Sequence, residues 1–338
     1  MARIKAICGV SGLIVVSLLA ARVEAQPVCY AYDLLNRLIA VVDAQGRAGI
    51  YRYDAVGNIL AIRRQDAAGP VGIVLVDPPG APGGTRVTVL GIGFSEAAGQ
   101  NQVTVGGVPA TVVAASRCSL TIEIPGAASS GPIVVTTPLG SATVVFSVPA
   151  ITNDLRSDWS DLVNPNGSWS YDQGSSPLPQ VPNWTALGAS CVQPAWAPSD
   201  LGGNYLPAWF RSACNPPAGF DFQMGDVVVH TTDEANGRGE GIANVRWTSP
   251  ASAIIQITGG IWNGRNIGRG NAFALSVNGS VVATGSISSA DGHGRSNPLT
   301  FSVTGVPIAV NDVVELDIVR TSNFGDFVGV DLTITTAR

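Results

Sequence analysis

The sequence Tyr-Ala-Tyr-Asp at residues 30–33 returns as Tyr-Arg-Tyr-Asp at residues 51–54, which lie 21 positions later. Each copy is followed by a residue that tolerates a left-handed backbone, Asn36 in the first copy and Gly57 in the second. Alternate side chains of an extended strand point to the same face, so each copy places its two tyrosines together. Each copy therefore predicts a strand, a turn and a second strand, and we expect β-hairpins over residues 28–66.

The bulk composition extends this β prediction to the rest of the chain. Charged residues make up 13% of the 338 residues, about half of the usual ~25%. The chain has 40 Gly and 22 Pro, and alternating runs of Val, Ile and Thr dominate while long amphipathic helix patterns are absent. This composition is typical of many short strands joined by tight turns, so the predicted fold class is all-β.

The first 25 residues have the features of an export signal. Arg3 and Lys5 supply the positive start, residues 14–20 are largely apolar, and Val-Glu-Ala at 23–25 has the small-x-small form of a cleavage site. The apolar stretch is shorter than the ~20 residues of a membrane span, and no other segment is apolar enough. We expect cleavage near Ala25 and a secreted or cell-surface protein without a membrane span.

The charge of the chain argues against two classes of partner. The net charge is -5, and it becomes -7 once the signal is removed. Lys5 is the only lysine, so every basic residue after the signal is Arg or His. Such a surface does not favour nucleic-acid binding, which depends on phosphate neutralisation. It also does not favour docking on anionic lipid.

Four cysteines follow the signal, and export permits disulfides. Cys191 and Cys214 lie in one Pro-rich, strand-poor stretch, where a bridge would tie down a loop and contribute roughly 3 kcal/mol. The alternative is two unpaired thiols. Cys118 begins a strand-like run at residues 118–122, and we expect it to be a small buried core residue.

The spacing of the two Tyr-Asp copies resembles the repeats of the bacterial Rhs-type surface proteins. In that family, long arrays of repeats wind into a β-sheet shell. Two copies cannot close a shell, because repeat units generally need about three neighbours for a core. The segment is then a remnant, an extension packed on the next domain, or a fragment that self-associates with another chain. We favour a plain β-hairpin in which the aromatic and Asp residues serve packing and turn capping.

Residues 70–149 contain Gly-Ile-Gly-Phe at 91–94 and Val-Gly-Gly-Val-Pro-Ala at 105–110, among alternating apolar runs. This order resembles the IPT/TIG immunoglobulin-like domain, which implies a small β-sandwich that spaces or presents other modules. Gly91 and Gly93 do not form a nucleotide-binding loop, because no helix follows and the third glycine of that fingerprint is missing.

Residues 150–338 contain Asn-Pro-Asn-Gly-Ser-Trp-Ser-Tyr at 164–171 and Val-Arg-Trp-Thr-Ser-Pro at 245–250. With the C-terminal run Gly-Val-Asp-Leu-Thr-Ile at 329–334, they resemble an exported jelly-roll domain that is named for the first motif. The resemblance implies a lectin-like β-sandwich similar to modules that bind sugars. The sequence departs from the motif at Asp172, where a glycine is usual.

All seven tryptophans lie in this third unit. Trp169 and Trp247 alternate with small polar residues, and we interpret them as core anchors. Flat rings in loops can stack on sugar rings, and loops often carry function on a rigid scaffold. The candidate carbohydrate-binding residues, which lie in Pro/Gly-rich segments, are Trp184, Trp196, Trp209, Tyr205 and Trp262. The alternative is that these aromatic residues pack loops onto the edge of the sandwich.

Patterns for catalysis or metal binding are weak. His230 with Asp233 and Glu234 matches no helical zinc motif, and His293 lies in a predicted turn at 291–295. No Gly-x-Ser-x-Gly turn is present. We predict no catalytic residue, no metal and no cofactor, with room only for one structural Ca²⁺ of the kind that β-sandwich modules often carry.

The sequence is consistent with three functional hypotheses. The leading hypothesis is a non-enzymatic, multi-module β protein that binds surface polysaccharide or a partner protein in an adhesive or structural role. The second is a polysaccharide-degrading glycoside hydrolase or lyase, which needs paired carboxylates. The candidates for such a pair are Glu240, Glu315, Asp317, Asp326 and Asp331. The third is a structural matrix component whose Tyr-Asp strands pair between chains.

Overall fold

The computed structural model describes residues 28–33, 35–67, 69–185, 191–198, 206–233 and 242–336. Within these ranges the structure is built from β-strands, and the only helical segment is one 3-10 turn at Ala98–Gln100. The all-β prediction is confirmed. No helix in the described ranges is long and apolar enough to cross a membrane. The predicted export signal lies outside these ranges.

The Tyr-Asp segment forms one four-stranded antiparallel sheet. Its strands are β1 (Cys29–Tyr32), β2 (Leu38–Val42), β3 (Arg47–Tyr53) and β4 (Ile59–Asp66). Each strand pairs with the next one along the chain, so the two predicted hairpins join through β2 and β3. At one edge, β4 exposes Ile59, Leu60 and Ile62. Self-association through these strands stays a prediction.

Three turns of this sheet use the same arrangement. In each turn, an aspartate carboxylate accepts hydrogen bonds from the backbone N–H groups two and four residues later and from the side chain of the fourth residue. The three aspartates are Asp33, Asp43 and Asp54. The backbone N–H of Arg37 holds the pKa of Asp33 below its ordinary value. The third residue after each aspartate has a left-handed backbone, which accounts for the Asn or Gly found there.

One face of this sheet packs against the second unit. Val42 and Ala48 are buried together with Val74, and a disulfide joins Cys29 to Cys118. The expectation that Cys118 is a small buried core residue is wrong, because it is half-buried and forms a disulfide across 89 residues of sequence. The structure agrees with the interpretation of the segment as an extension packed on the next domain.

The second unit contains seven strands. They are β5 (Gly72–Asp77), β6 (Arg86–Ile92), β7 (Gln102–Val105), β8 (Val108–Ala115), β9 (Ser119–Glu123), β10 (Gly131–Thr137) and β11 (Gly140–Phe146). Their order is β11-β10-β7-β8-β9-β6-β5 around an aliphatic core that includes Leu120 and Val135. Gly93 has a φ of 77°, and a Cβ at this position would lie 2.0 Å from the carbonyl oxygen of Pro70. The turn before the buried Phe94 therefore requires glycine.

The third unit is a sandwich of two antiparallel sheets. The eight-stranded sheet contains β12 (Thr152–Asp154), β15 (Gln180–Trp184), β16 (Gln193–Trp196), β17 (Ala208–Arg211), β18 (Val227–His230), β20 (Ala253–Asn263), β23 (Leu299–Ile308) and β25 (Phe327–Thr336). The six-stranded sheet contains β13 (Trp169–Gln173), β14 (Ser176–Pro177), β19 (Ile242–Thr248), β21 (Gly270–Val277), β22 (Ser280–Ser288) and β24 (Val313–Arg320). The strand orders are β15-β16-β17-β18-β25-β20-β23, with β12 beside β25, and β14-β13-β19-β24-β21-β22.

The main core of the sandwich lies between the two sheets. Trp169 of β13 stands opposite Trp247 of β19, and both are buried with Tyr171 and Leu316. The prediction that these two tryptophans are core anchors is confirmed. A second apolar cluster lies on the other face of the eight-stranded sheet, where Phe210 packs among other aromatic rings.

The bridge between Cys29 and Cys118 should control how firmly the Tyr-Asp sheet is held. Closing a loop of 89 residues contributes about 4 to 5 kcal/mol in the chain-entropy model. In the double variant Cys29→Ser/Cys118→Ser, we expect faster amide hydrogen exchange over residues 28–66, measured by mass spectrometry, with unchanged exchange over residues 242–336. The matched control Cys191→Ser/Cys214→Ser should leave residues 28–66 unaffected. Equal protection of residues 28–66 with and without the first bridge would contradict this role.

Candidate functional site

The aromatic residues that the sequence suggests for sugar stacking do not form an exposed surface. Tyr205 lies outside the described residues. The other four side chains are buried, with exposed fractions of 0% for Trp184 and Trp209, 1% for Trp262 and 4% for Trp196. A ring needs an open face to stack on a sugar. The prediction of a tryptophan-lined binding surface is therefore wrong for these four residues.

Packing and hydrogen bonding account for this burial. The indole N–H of Trp196 donates to the carbonyl of Ser160 at 2.9 Å, and that of Trp262 donates to the carbonyl of Asp221 at 2.7 Å. Gly329 lies directly against the Trp262 ring, where a Cβ would come within 1.9 Å of it. All four tryptophans lie on strands of the eight-stranded sheet, and Trp196 and Trp209 belong to its main core. Trp196 and Trp262 also hold neighbouring loops through their indole N–H groups.

The second disulfide stabilises the same loop region. Cys191 pairs with Cys214 as predicted, and their Cα atoms are 6.4 Å apart. The bridge ties the segment before β16 to the loop that follows β17. Two disulfides in one chain fit a protein that works outside the cytoplasm.

The histidine that the sequence offers as a metal ligand has a structural environment. His230 is buried at the end of β18, its Nδ1 lies 2.8 Å from the carbonyl oxygen of Thr231, and its ring packs edge-on against Phe327. Burial lowers the pKa of His230 to about 4. No group of three or more His, Cys, Asp or Glu side chains in the described ranges could hold a metal ion.

The five carboxylates considered for hydrolysis separate in the structure. Glu240 lies outside the described residues. Asp326 and Asp331 form ion pairs with arginines at 3.3 and 2.7 Å. Glu315 and Asp317 lie two positions apart on β24, and the Glu315 carboxylate raises the pKa of Asp317. This last pair lies on the outer face of the six-stranded sheet.

The outer face of the six-stranded sheet carries two rows of polar side chains, which we call the Asn244 face. The register of β13, β19 and β24 sets both rows. The first row consists of Ser170, Arg246 and Glu315. The second row consists of Asp172, Asn244 and Asp317. The residues between them along each strand point into the core, because side chains of a strand alternate between its two faces.

Asn244 lies at the centre of the hydrogen bonds on this face. Its Nδ2 donates to Oε1 of Glu315 at 2.7 Å and to the carbonyl of Gly174 at 2.8 Å. The Arg246 guanidinium is shared between two carboxylates, with Nε 3.4 Å from Oε2 of Glu315 and Nη1 3.6 Å from Oδ2 of Asp172. Both ion pairs are longer than a strong charge-assisted hydrogen bond.

Three buried acceptor atoms of the Asn244 face have no hydrogen-bond partner among the described residues. They are Oδ2 of Asp172, Oδ1 of Asn244 and Oδ1 of Asp317. Buried polar atoms are nearly always paired, and each one left unpaired costs about 1 to 3 kcal/mol. One donor of the same face, Nε of Arg246, also lacks a hydrogen bond. The unpaired acceptors outnumber this donor, so the face can take up further N–H or O–H groups.

The charges on this face are also poorly compensated. Burial raises the pKa of Asp317 to about 6, and the neighbouring Glu315 carboxylate raises it as well. Burial likewise raises the pKa of Asp172, although the Ser170 hydroxyl and the Arg246 guanidinium act in the opposite direction. Carboxylates whose pKa values are perturbed in this way are concentrated at functional sites.

An open cavity of about 450 Å³ adjoins the Asn244 face. Gly174, whose carbonyl accepts from Asn244, forms part of its wall. Ile242 also lines it and points to the same side as Asn244, because it lies two positions earlier on β19. The cavity therefore borders the Asn244 face at Gly174 and Ile242, and the side chains of Asp172, Asn244 and Asp317 do not line it.

A smaller cavity of about 250 Å³ lies at the end of the sandwich where β20 and β22 finish. Phe220, Asn263, Ser288 and His293 line it. The Nδ2 of Asn263 already donates to the carbonyl of Ser288, so this polar group is engaged within the fold. We therefore take the Asn244 face as the candidate site.

Sequence reasoning missed Asp172, Asn244 and Arg246 as members of a site. The available signal was a polar residue at every second position of otherwise apolar runs, as in Ile-Ala-Asn-Val-Arg-Trp at residues 242–247. Such alternation is ordinary for any half-exposed strand. These side chains come together only in the folded sheet, where β13, β19 and β24 are neighbours.

Comparison with protein families identifies two of the units. Residues 32–71 match the RHS repeat, and residues 72–152 match the IPT/TIG domain. No protein of curated function matches the chain.

Several solved structures are similar to the chain at low identity. An auxiliary nutrient-binding protein from Bacteroides thetaiotaomicron is 13% identical over 55% of each chain, with a TM-score of 0.25. The protein SGBP-B, from a xyloglucan utilisation locus of Bacteroides uniformis, is 15% identical over 92% of this chain and 84% of that one, with a TM-score of 0.21. A family 35 carbohydrate-binding module from Clostridium thermocellum is 16% identical over 35% and 81%, with a TM-score of 0.22. The chain spans about half the length of the first of these.

Asp317 should lower the stability of the fold at neutral pH. Its folded pKa of about 6 lies above the reference value of 3.8, so the folded state binds its proton more tightly and stability falls as the pH rises through this window. Asp317→Asn should therefore raise the melting temperature at pH 7 by about 2 °C or more, and by less near pH 4. The exposed Glu96→Gln in the second unit is the matched control. A lower melting temperature for Asp317→Asn at pH 7 would contradict this picture.

His230 should make the fold sensitive to acid. Its folded pKa of about 4 lies below the reference value of 6.5, so the unfolded chain binds the extra proton and stability is lost as the pH falls through this window. The loss reaches up to about 3 kcal/mol near pH 4. Urea unfolding of His230→Asn should show a smaller loss between pH 7 and 4.5 than the parent chain shows, whereas His293→Asn should behave like the parent. An unchanged pH slope in His230→Asn would overturn this assignment.

Proposed function

We propose that this chain is an exported, non-enzymatic carbohydrate-binding protein whose C-terminal sandwich binds a saccharide on the Asn244 face. The RHS and IPT/TIG units would present this sandwich outside the cell. The observation that carries the proposal is a set of three buried acceptors without a hydrogen bond, on a face whose Gly174 lines an open cavity. They are Oδ2 of Asp172, Oδ1 of Asn244 and Oδ1 of Asp317.

The chemistry of the face fits a ligand rich in hydroxyl groups. Each sugar hydroxyl supplies one donor and accepts in return, so neighbouring hydroxyls can bond the unpaired oxygens of Asn244 and Asp317. The Arg246 guanidinium can donate to ring or hydroxyl oxygens. The cavity volume of about 450 Å³ lies within the ~300 to 1,000 Å³ that small-molecule sites usually have.

Entry to the face requires two side chains to move. Arg246 and Glu315 lie at its rim, with side-chain exposed fractions of 30% and 27%. Asn244 and Asp172 are fully buried beneath them. A saccharide that enters from the cavity would turn the Glu315 carboxylate outward and take over its hydrogen bond with Asn244. The ligand then replaces an internal bond and pairs acceptors that lacked a donor.

The placement of the carboxylates supports binding rather than hydrolysis. Glu315 and Asp317 project from one strand, two positions apart, and so reach a ligand from the same side. Glycosidase carboxyl pairs flank the scissile bond, about 5 to 9.5 Å apart, with the sugar or a water molecule between them. We therefore assign both residues to ligand contact.

Binding can be tested with the full exported chain on an array of plant, algal, fungal and bacterial oligosaccharides. Isothermal titration with the strongest hit then measures affinity for the parent and for Glu315→Gln and Asp317→Asn. We expect each variant to bind about tenfold more weakly, a loss of about 1.4 kcal/mol. Each removes a charged acceptor from the face while conserving side-chain size.

The controls separate this site from other surfaces. Glu96→Gln changes an exposed carboxylate of the second unit and should bind like the parent. Unchanged binding by Asp317→Asn and Glu315→Gln would move the site away from the Asn244 face. No binding to any saccharide would remove the proposed function. Release of new reducing ends from a polysaccharide would instead support the hypothesis that the chain is a glycoside hydrolase.

A further inference from the structure

We propose that the Asn244 face selects saccharides that carry an unblocked primary amine over neutral saccharides of the same size. This inference rests on the proposed function and specifies its ligand class.

The face holds more negative than positive charge. Asp172, Glu315 and Asp317 contribute three carboxyl groups, and the electrostatic neighbours of Asp317 in the described part of the chain are Glu315 and Arg246. Arg246 is divided between Asp172 and Glu315 at 3.6 and 3.4 Å. One guanidinium cannot neutralise three carboxylates, and a second cation is the missing component.

An ammonium group supplies both the hydrogen-bond donors and the positive charge that the face lacks. Three of the four buried atoms of this face that lack a hydrogen bond are acceptors, and the fourth is the donor Nε of Arg246. An ammonium carries three donors and no acceptor. A hydroxyl group can pair one acceptor at a time but leaves the excess negative charge in place. Because a partly buried charge without compensation is costly, an ammonium gains more than a hydroxyl at the same position.

A metal ion is a poorer occupant than an ammonium. The described residues hold no cluster of three or more His, Cys, Asp or Glu groups with the geometry for a metal ion. The Arg246 guanidinium also lies among these carboxylates and would repel a divalent cation. A single positive charge on an organic ligand meets less repulsion and can approach from the open cavity beside Gly174.

The preference for an amine should depend on pH in a defined direction. The groups that act on Asp317 are Glu315, which raises its pKa, and Arg246, which lowers it, in addition to burial. As the pH rises from about 5 to 7, Asp317 loses its proton and the face becomes more negative. A sugar amine, whose pKa is close to the ~7.7 to 8.0 of an α-amino group, remains largely protonated over this range. Amine binding should therefore strengthen as the pH rises, while neutral saccharides should show no such gain.

The test compares a chitosan trimer, which has three unblocked amines, with its fully N-acetylated counterpart. Isothermal titration with the full chain at about pH 7 should give at least about tenfold tighter binding for the chitosan trimer, and the advantage should shrink several-fold at about pH 5. Raising the salt concentration should weaken only the chitosan trimer. Asp317→Asn should remove the pH dependence, and Glu96→Gln should retain it.

The outcomes distinguish this inference from the proposed function. Equal or tighter binding of the N-acetylated trimer would overturn amine selection while leaving saccharide binding intact. An amine preference that survives in the double variant Glu315→Gln/Asp317→Asn would also overturn it, because the charge would then lie elsewhere. Failure of both trimers and of every saccharide on the array would remove the proposed function itself.

Discussion

The pairing of Trp169 with Trp247 across β13 and β19 determines which side chains lie on the outer face of the six-stranded sheet. Burial of two indoles beside Tyr171 is among the largest apolar contributions in the third unit, at about 1.5 to 3 kcal/mol for each large side chain. The side-chain period of a strand is two, so this inward set forces Asp172 and Asn244 outward. A slip of one residue would bury carboxylates and expose tryptophans, at prohibitive cost. The register that builds the core therefore also builds the polar face.

The features that could be predicted from the sequence are those encoded locally. The Tyr-Asp turns follow from Asp33 and its counterparts, the core role of Trp169 follows from its alternation with small polar residues, and the bridge between Cys191 and Cys214 follows from their place in one loop-rich stretch. The polar face could not be predicted in this way, because Asp172 and Asp317 come from strands far apart in sequence. One sign of it was present, since Asp172 departs from a motif that usually has glycine there.

Two predictions failed for the same physical reason. The composition of a short segment does not show which distant segments pack against it. Pro/Gly-rich segments around Trp184 and Trp262 suggest exposed loops, yet both residues lie on strands of the eight-stranded sheet, where their rings are buried. The local sequence predicts that Cys118 is a core residue of its own strand, yet the Tyr-Asp sheet packs on the second unit and Cys29 of β1 bonds to Cys118. In both cases a tertiary contact between distant segments overrides a correct local description.

The central claim is that the fold leaves the negative charge of the Asn244 face uncompensated. A carbon NMR titration of the Asp317 carboxyl in the full chain tests it most directly. We predict a titration midpoint near pH 6 for Asp317, because burial raises its pKa. A bound amine should shift this midpoint downward. A midpoint at or below the ordinary 3.8, without ligand, would contradict the central claim, because it would mean that the fold already compensates this carboxylate.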